Sequence, residues 1–499
     1  MRTRLLLTIA VAAAAAVMPM TSTATAAPAT PAPPDLLAQA PNPTTVHEWL
    51  TTPGVTTPTD VQLPLNDTVT KTPVTVHVDP NIRYQSVSGF GAAITDSSAH
   101  VLYGLTPDNR DAVMKNLFDQ KAGAGIDFLR QPIGASDFAV GQDYSYDDLP
   151  AGQTDYQMRQ FSIQHDETQI LPLLRQALKL NPRIQIVASP WSMPGWMKTG
   201  GSMIDGKLID DPRIYRAYAL YLVKFIQAYQ RAGVPVDYIT VQNEPQALER
   251  KNYPGTDLSW EQEAKVIEAL GPAIRAAGLR TKILAFDHNW TEHPGDISSH
   301  QRANEDPEPN YPYDLLGTDA YKWVAGTAYH CYFGDPTAQT GLRASFPGKD
   351  IFMTECEGGD SSTIIGVMQN WGRSSIDWNI ALDENHGPHL GGCGTCNGTI
   401  TVNSVTKDVT YNDQYRDIEH FSKFVPQGAT HIASTVDTTS SKGAPLTTVA
   451  FTNPDRSTSL VALNTGATTQ NFAVVYGTHS FAATLPAGGT VTYQWSQIH

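Results

Sequence analysis

Cysteine is scarce in this chain, with four in 499 residues, at positions 331, 356, 393 and 396. So few thiols cannot staple a chain of this length, and an apolar core has to hold the fold. Positive charge is also in deficit. The 34 lysines and arginines face 49 aspartates and glutamates, a formal net charge of −15. That balance argues against nucleic acid or an anionic membrane surface as the main partner, since both call for a basic patch. Past the N-terminal region no apolar run reaches the roughly 20 residues that span a bilayer, so no stable membrane insertion is expected. No His-x-x-x-His or comparable ligand cluster points to a metal hydrolase, and no internal repeat is present. Neither a metal nor another cofactor is expected. A neutral substrate fits the charge better.

Hydrophobic residues make up 41% of the chain and charged ones 17%, enough for a barrel-sized domain and something smaller. The first 26 residues read as a signal peptide. Arg2 and Arg4 form a positive start, Leu5 to Met18 an apolar stretch, and Ala24-Thr25-Ala26 a small-residue cleavage site. Export to the extracellular space is therefore expected, with cleavage near Ala26. Residues 27–45, beginning Pro28-Ala29-Thr30-Pro31, form a Pro- and Ala-rich leader whose composition favours extended, unpacked chain.

From about Val76 to Val425, short apolar runs alternate with longer amphipathic stretches, the rhythm of a parallel sheet with crossover helices. Strands are predicted at Ile126–Arg130, Ile184–Ala188, Tyr238–Gln242, Lys282–Phe286, Thr327–His330 and Asp350–Thr354. Tyr218, Leu222, Phe225 and Tyr229 recur at helical spacing, a stripe that belongs against a barrel rather than at a binding face. Beyond about Gly428 the chain turns to Thr-, Val- and Ala-rich alternation with turns at Asn453-Pro454 and Gly488-Gly489. This predicts an antiparallel β-domain.

Two glutamates end apolar runs. Glu244, in Asn243-Glu244-Pro245, follows the Tyr238 run, and Glu355 follows the Asp350 run. In a parallel barrel the reacting groups sit where the strands end, and glycoside hydrolysis needs a pair of carboxylates. Taken singly, Glu244 reads as a helix-start acid and Glu355 as a solvated surface charge. Together, each with polar or aromatic neighbours at a strand end, they favour the catalytic reading. Of the cysteines, Cys393-Gly394-Thr395-Cys396 lies in a Gly-rich loop, 386–398. Zinc would need a second ligand pair, and thioredoxin-like chemistry a βαβ setting. Neither is evident, so a loop-closing disulfide is expected. Cys331 and Cys356 each follow an apolar strand and could also pair.

Five motifs in order are similar to those of glycoside hydrolase family 30, in its glucosylceramidase-type branch: Gly89-Phe90-Gly91-Ala92-Ala93-Ile94-Thr95-Asp96, Ala188-Ser189-Pro190-Trp191-Ser192-Met193-Pro194-Gly195-Trp196, Asn243-Glu244-Pro245, Thr354-Glu355-Cys356 and Asp377-Trp378-Asn379. The resemblance implies a (β/α)8 TIM barrel with an accessory antiparallel β-sandwich to which chain segments on both sides of the barrel contribute. Residues 46–80 would then be N-terminal strands of the sandwich, 81–425 the barrel and 426–499 the rest of the sandwich. It also implies a retaining mechanism with Glu244 as acid/base and Glu355 as nucleophile. Asn243 would bind the sugar 2-OH, Asp137, Trp191 and Trp378 would wall the sugar site, Tyr332 would lie near the nucleophile, and Arg130 would orient the carboxylates. His330 reads as a satisfied core histidine and stays outside this set.

The chain departs from the animal glucosylceramidase pattern at His330-Cys331-Tyr332, where that branch has tryptophan in the middle, and in the loop 383–393 after Asp377-Trp378-Asn379. The substrate implied is a β-glucoside, cleaved by a glucosylceramidase-like enzyme, with an endo-β-1,6-glucanase or another polysaccharide hydrolase of the family as the alternative, so that the aglycone is a glycolipid or a glucan. A third reading, from another class, is a carbohydrate-binding protein on a hydrolase barrel that no longer turns over.

Overall fold

The computed structural model describes residues 45–55, 58–69, 72–247, 252–439 and 443–496. The expected signal peptide, and the leader up to residue 44, lie outside them. Three strands come first, β1 (Thr45–Thr51), β2 (Thr59–Pro64) and β3 (Val74–Ser86). Eight short strands then build a barrel: β4 (Gly89–Ala93), β5 (Phe128–Pro132), β6 (Gln185–Ser189), β7 (Tyr238–Thr240), β8 (Lys282–Asn289), β9 (Val324–His330), β10 (Asp350–Glu355) and β11 (Ser374–Asp383).

Each barrel strand is parallel to the next, and β11 lies parallel to β4. Parallel bridges from Ile351 to Gly372 and from Cys356 to Asp377 close the ring between β10 and β11. Nearly every residue of these strands is buried, which explains why they read as apolar runs without alternation. The predicted strand at Tyr238–Gln242 is shorter than expected, three residues, because the chain leaves the sheet before Asn243. The helix Pro212–Arg231 connects β6 and β7 and is capped by the Asp211 carboxylate on the Arg213 N–H. Its stripe of Tyr218, Leu222, Phe225 and Tyr229 is fully buried, each side chain contributing about 1.5–3 kcal/mol of burial.

Inside the barrel, side chains stack in layers. Phe128, Val187, Tyr238, Leu284, Ala328, Phe352 and Ile376, one from each of β5 to β11, form a closed apolar cluster. Two residues further along a strand the side chain points the same way. On β5, β6, β7, β9, β10 and β11 that step reaches Arg130, Ser189, Thr240, His330, Thr354 and Trp378. An apolar plug therefore supports a mostly polar layer at the C-terminal end of the barrel.

After β11, two strands β12 (Gly398–Val402) and β13 (Val409–Tyr411) extend the barrel sheet. The last six are β14 (Thr430–Thr438), β15 (Leu446–Thr452), β16 (Ser457–Asn464), β17 (Gln470–Tyr476), β18 (His479–Leu485) and β19 (Thr490–Ser496). With β1 to β3 they form a nine-stranded series in the order β18-β17-β3-β14-β15-β16-β19-β1-β2, around a core that includes Val46, Val76, Phe472, Tyr493 and Trp495. Both ends of the chain thus supply the β-sandwich. Its pairs are antiparallel as expected, except β3 with β17, which run parallel. Those two strands come from opposite sides of the barrel, so no hairpin constrains their direction.

Candidate active site

The polar layer converges on one buried carboxylate, Asp287. Its Oδ2 accepts from Arg130 Nη2 (2.8 Å), Ser189 Oγ (2.6 Å) and Thr240 Oγ1 (2.9 Å). Its Oδ1 accepts from Thr354 Oγ1 (2.6 Å) and faces His330 Nε2 at 3.2 Å. Burial alone would raise this carboxyl group, but the Arg130 and His330 cations and the hydrogen bonds hold it well below the ordinary carboxylate range. Sequence reasoning missed Asp287. Strict alternation along β8 would put residue 286 inward; instead a register shift between Phe286 and His288, with Phe286 and Asp287 both at positive φ, turns Asp287 into the barrel.

Arg130, fully buried, reaches upward from this hub. Its Nη2 also donates to Asn243 Oδ1 (2.7 Å) and its Nη1 to Glu355 Oε2. Burial opposes its charge, yet Asp287 and Glu355 outweigh that and raise it further. Glu355 takes a second donor, Tyr332 Oη, at 2.8 Å. A bulge between Met353 and Glu355 aims Glu355 at the mouth of the barrel. A similar shift at Asp377/Asn379 places Trp378, which stacks on Trp191 with ring centroids 4.8 Å apart. Arg130 lies over the Trp191 ring at 4.8 Å.

Glu244 follows β7 with a φ of 48°, a left-handed backbone that costs a non-glycine residue about 1–3 kcal/mol. Surrounding contacts fix it. The Glu244 N–H donates to the Asp287 carbonyl (3.0 Å) and the Asn243 N–H to the Pro190 carbonyl (2.8 Å). Opposite stands Glu355. One carboxylate oxygen of each glutamate and a ring nitrogen of His330 lie within 4.8 Å of one another.

His330 is buried and hydrogen-bonded as a core histidine should be, but it also stands beside both glutamates, which its sequence reading left out. Its Nδ1 is 3.4 Å from Glu244 Oε1 and 3.9 Å from Glu355 Oε1. Burial disfavours the imidazolium, but the charge of Glu355 and the bonds to Asp287 and Glu244 raise it to about 9. It is a cation at neutral pH. The missed signal was its position at the end of β9, one strand before Glu355 in the ring.

Asp137, Glu244, Tyr332, Glu355 and Trp378 line one cavity of about 410 Å³, with Asn243, Trp191 and Arg130 packed behind them. All eight residues named from the sequence thus meet at one place. The loop 386–398 closes a wall of the cavity. Its Leu390 N–H donates to the Asp137 carbonyl at 2.7 Å, and Gly392 has left-handed φ with no room for a β-carbon beside Asp137 Oδ2. Cys393 and Cys396 are bridged within it, and Cys331 is bridged to Cys356.

Two clusters among the described residues have the ligand types of a metal site, Glu244–His330–Glu355 and Asp257–His300–Glu305. Each already holds a cation of the protein. Arg130 engages Glu355 in the first, and Lys207 bridges Asp257 and Glu305 in the second.

Known proteins agree with this architecture. The glycosyl hydrolase family 30 TIM-barrel domain matches residues 87–425, and the family 30 beta sandwich domain residues 428–493. An endo-1,6-beta-D-glucanase of Trichoderma harzianum is 35% identical over 403 residues, covering 76% of this chain and 78% of that protein. The lysosomal acid glucosylceramidase of Mus musculus is 29% identical over 464 residues, covering 85% and 84%. A solved endo-beta1,6-glucanase superposes with a TM-score of 0.80 at 32% identity, covering 91% of this chain and 100% of its own. With both family domains matched in order, and with paired carboxylates at the C-terminal mouth of the barrel, the chain belongs to glycosyl hydrolase family 30 and is a glycosidase.

Proposed function

We propose that this chain is a secreted, retaining hydrolase of β-glucosidic bonds in a β-1,6-linked glucan. The observation that carries the mechanism is the approach of Glu244 and Glu355 to within 4.8 Å inside the cavity. Retaining enzymes hold their two carboxyl groups about 5–5.5 Å apart, whereas inverting ones leave about 6.5–9.5 Å for a water. Glu355 attacks the anomeric carbon while Glu244 gives its proton to the departing glycosidic oxygen. Water then donates a proton to Glu244, attacks the same carbon and releases Glu355.

The charges in the site support these roles. Arg130 donates to Glu355 Oε2 and Tyr332 to its Oε1, which suits a nucleophile that attacks as its carboxylate. Asn243, oriented by Arg130, is placed for the sugar 2-OH, while Trp191, Trp378 and Asp137 suit the apolar face and hydroxyls of a pyranose.

Substrate choice rests on two supports. The glucanase relatives are the more similar, at 35% against 29% identity for the mouse glucosylceramidase. A ceramide would also want an apolar rim; among the described residues that line the cavity, the one exposed large hydrophobic is Tyr332. The glucosylceramidase reading stands second, supported by that 29% relative. Secretion rests on the pattern of residues 1–26. The test is a substrate panel of β-1,6-glucan against glucosylceramide, with NMR of the first-formed product. Release of the α-anomer would sink retention; turnover of the glycolipid without the glucan would sink the substrate assignment.

A further inference from the structure

The cavity has two levels. Asp137 and Trp378, with Trp191 behind, are buried at its bottom, whereas Tyr253, Tyr332 and Glu357 are half-buried or exposed at its mouth. A glucosyl unit seated at the bottom, with its anomeric carbon at Glu355, sends its leaving group toward that mouth. Glu357 stands two residues beyond Glu355, and its Oε1 accepts the Asn397 N–H at 3.0 Å. Asn397 belongs to the loop that Cys393 and Cys396 close. A backbone N–H of that loop thus orients the carboxylate. Among the described residues no cation pairs with it, and a carboxylate offers about four acceptor positions, so most of its capacity is unused.

We infer that Glu357 is a specificity-determining residue that accepts hydroxyl hydrogens from the leaving sugar. This rests on the glucan reading above. A sugar supplies donors to a partly buried carboxylate, while an alkyl leaving group strips its water and returns nothing. Glu357 would therefore select a hydroxylated leaving group over a lipid one.

The experiment compares the wild type with Glu357→Ala and Glu357→Gln on β-1,6-linked gluco-oligosaccharides and on dinitrophenyl β-glucoside, whose leaving group has no hydroxyls. The alanine variant should lose about 10- to 100-fold in kcat/KM on the oligosaccharides, the worth of one or two charge-assisted hydrogen bonds, and stay within about 3-fold on the aryl glucoside. The glutamine variant, which keeps one acceptor oxygen, should fall between them. Transglycosylation gives a second readout. With the aryl glucoside as donor, the gluco-oligosaccharide concentration that half-saturates transfer should rise by a similar factor in the alanine variant. Equal losses on both substrates would mean that the change merely loosens the loop holding Asp137, and would overturn the inference. So would unchanged oligosaccharide kinetics. A wild type that turns over the aryl glucoside but no glucan would overturn the glucan reading and this inference together; equal losses in a glucan-active enzyme overturn the inference alone.

Discussion

Raising the pH through 9 should discharge His330 and remove a measurable part of the stability of the barrel. The imidazole is fully buried, and its charge is sustained by Glu355, Asp287 and Glu244 at 3.2–3.9 Å. It titrates at about 9 in the folded chain against an ordinary 6.5. A folded value above the unfolded one means that the folded state binds the proton more tightly. The stabilisation is therefore complete below about pH 6.5 and lost as the pH rises through about 9. At about 1.4 kcal/mol per pH unit, the difference amounts to roughly 3 kcal/mol. The assay is urea unfolding of the wild type and of His330→Gln at intervals from pH 6 to pH 10. Other groups titrate in both proteins, so the quantity read is the gap between the two curves. That gap should be widest at pH 6 and shrink by roughly 3 kcal/mol by pH 9.5. Parallel curves would refute the reasoning, because they would mean that His330 binds its proton no more tightly in the folded chain than in the unfolded one.

Three further outcomes follow from the site. Glu244→Gln should lose about 10²–10⁴-fold on substrates with poor leaving groups yet still form a glycosyl-enzyme from dinitrophenyl β-glucoside, with azide restoring turnover as the β-glycosyl azide; Glu355→Gln should yield none, and the opposite pattern would exchange the two roles. Gly392→Ala would place a methyl group against Asp137 Oδ2 on a backbone with a φ of +71°, so KM should rise about tenfold, the cost of one weakened hydrogen bond, with the circular dichroism spectrum unchanged; an unaltered KM would remove Asp137 from sugar binding. The Cys393–Cys396 bridge spans a sequence separation of 3 and Cys331–Cys356 one of 25, worth about 2 and about 3.5 kcal/mol by loop entropy. Mild reductant should therefore open the loop bridge first and raise KM while the barrel stays folded, and global unfolding at that stage would contradict the local role.

The sequence alone determined the broad plan. Short runs buried on both faces announce themselves as uninterrupted apolar stretches, and the Tyr218, Leu222, Phe225 and Tyr229 stripe announces a helix, because these patterns depend only on the local periodicity of the backbone. Glu244 and Glu355 were legible for the same reason, since each closes such a run. The motif likeness brought in Asp137, Trp191 and Arg130, whose positions no period could distinguish from core or surface. Other features depended on contacts between distant segments. The positive φ values that turn Asp287 inward, the bulges that aim Glu355 and Trp378, and the left-handed backbone of Glu244 are departures from regular geometry, and composition carries no trace of them. His330 looks like any core histidine until β9 stands beside β10 and three carboxylates surround its ring. The parallel pairing of β3 with β17 joins segments nearly 400 residues apart. Only the closed barrel brings these groups together, because charge and hydrogen bonding act across space and the order of residues along the chain does not record that proximity.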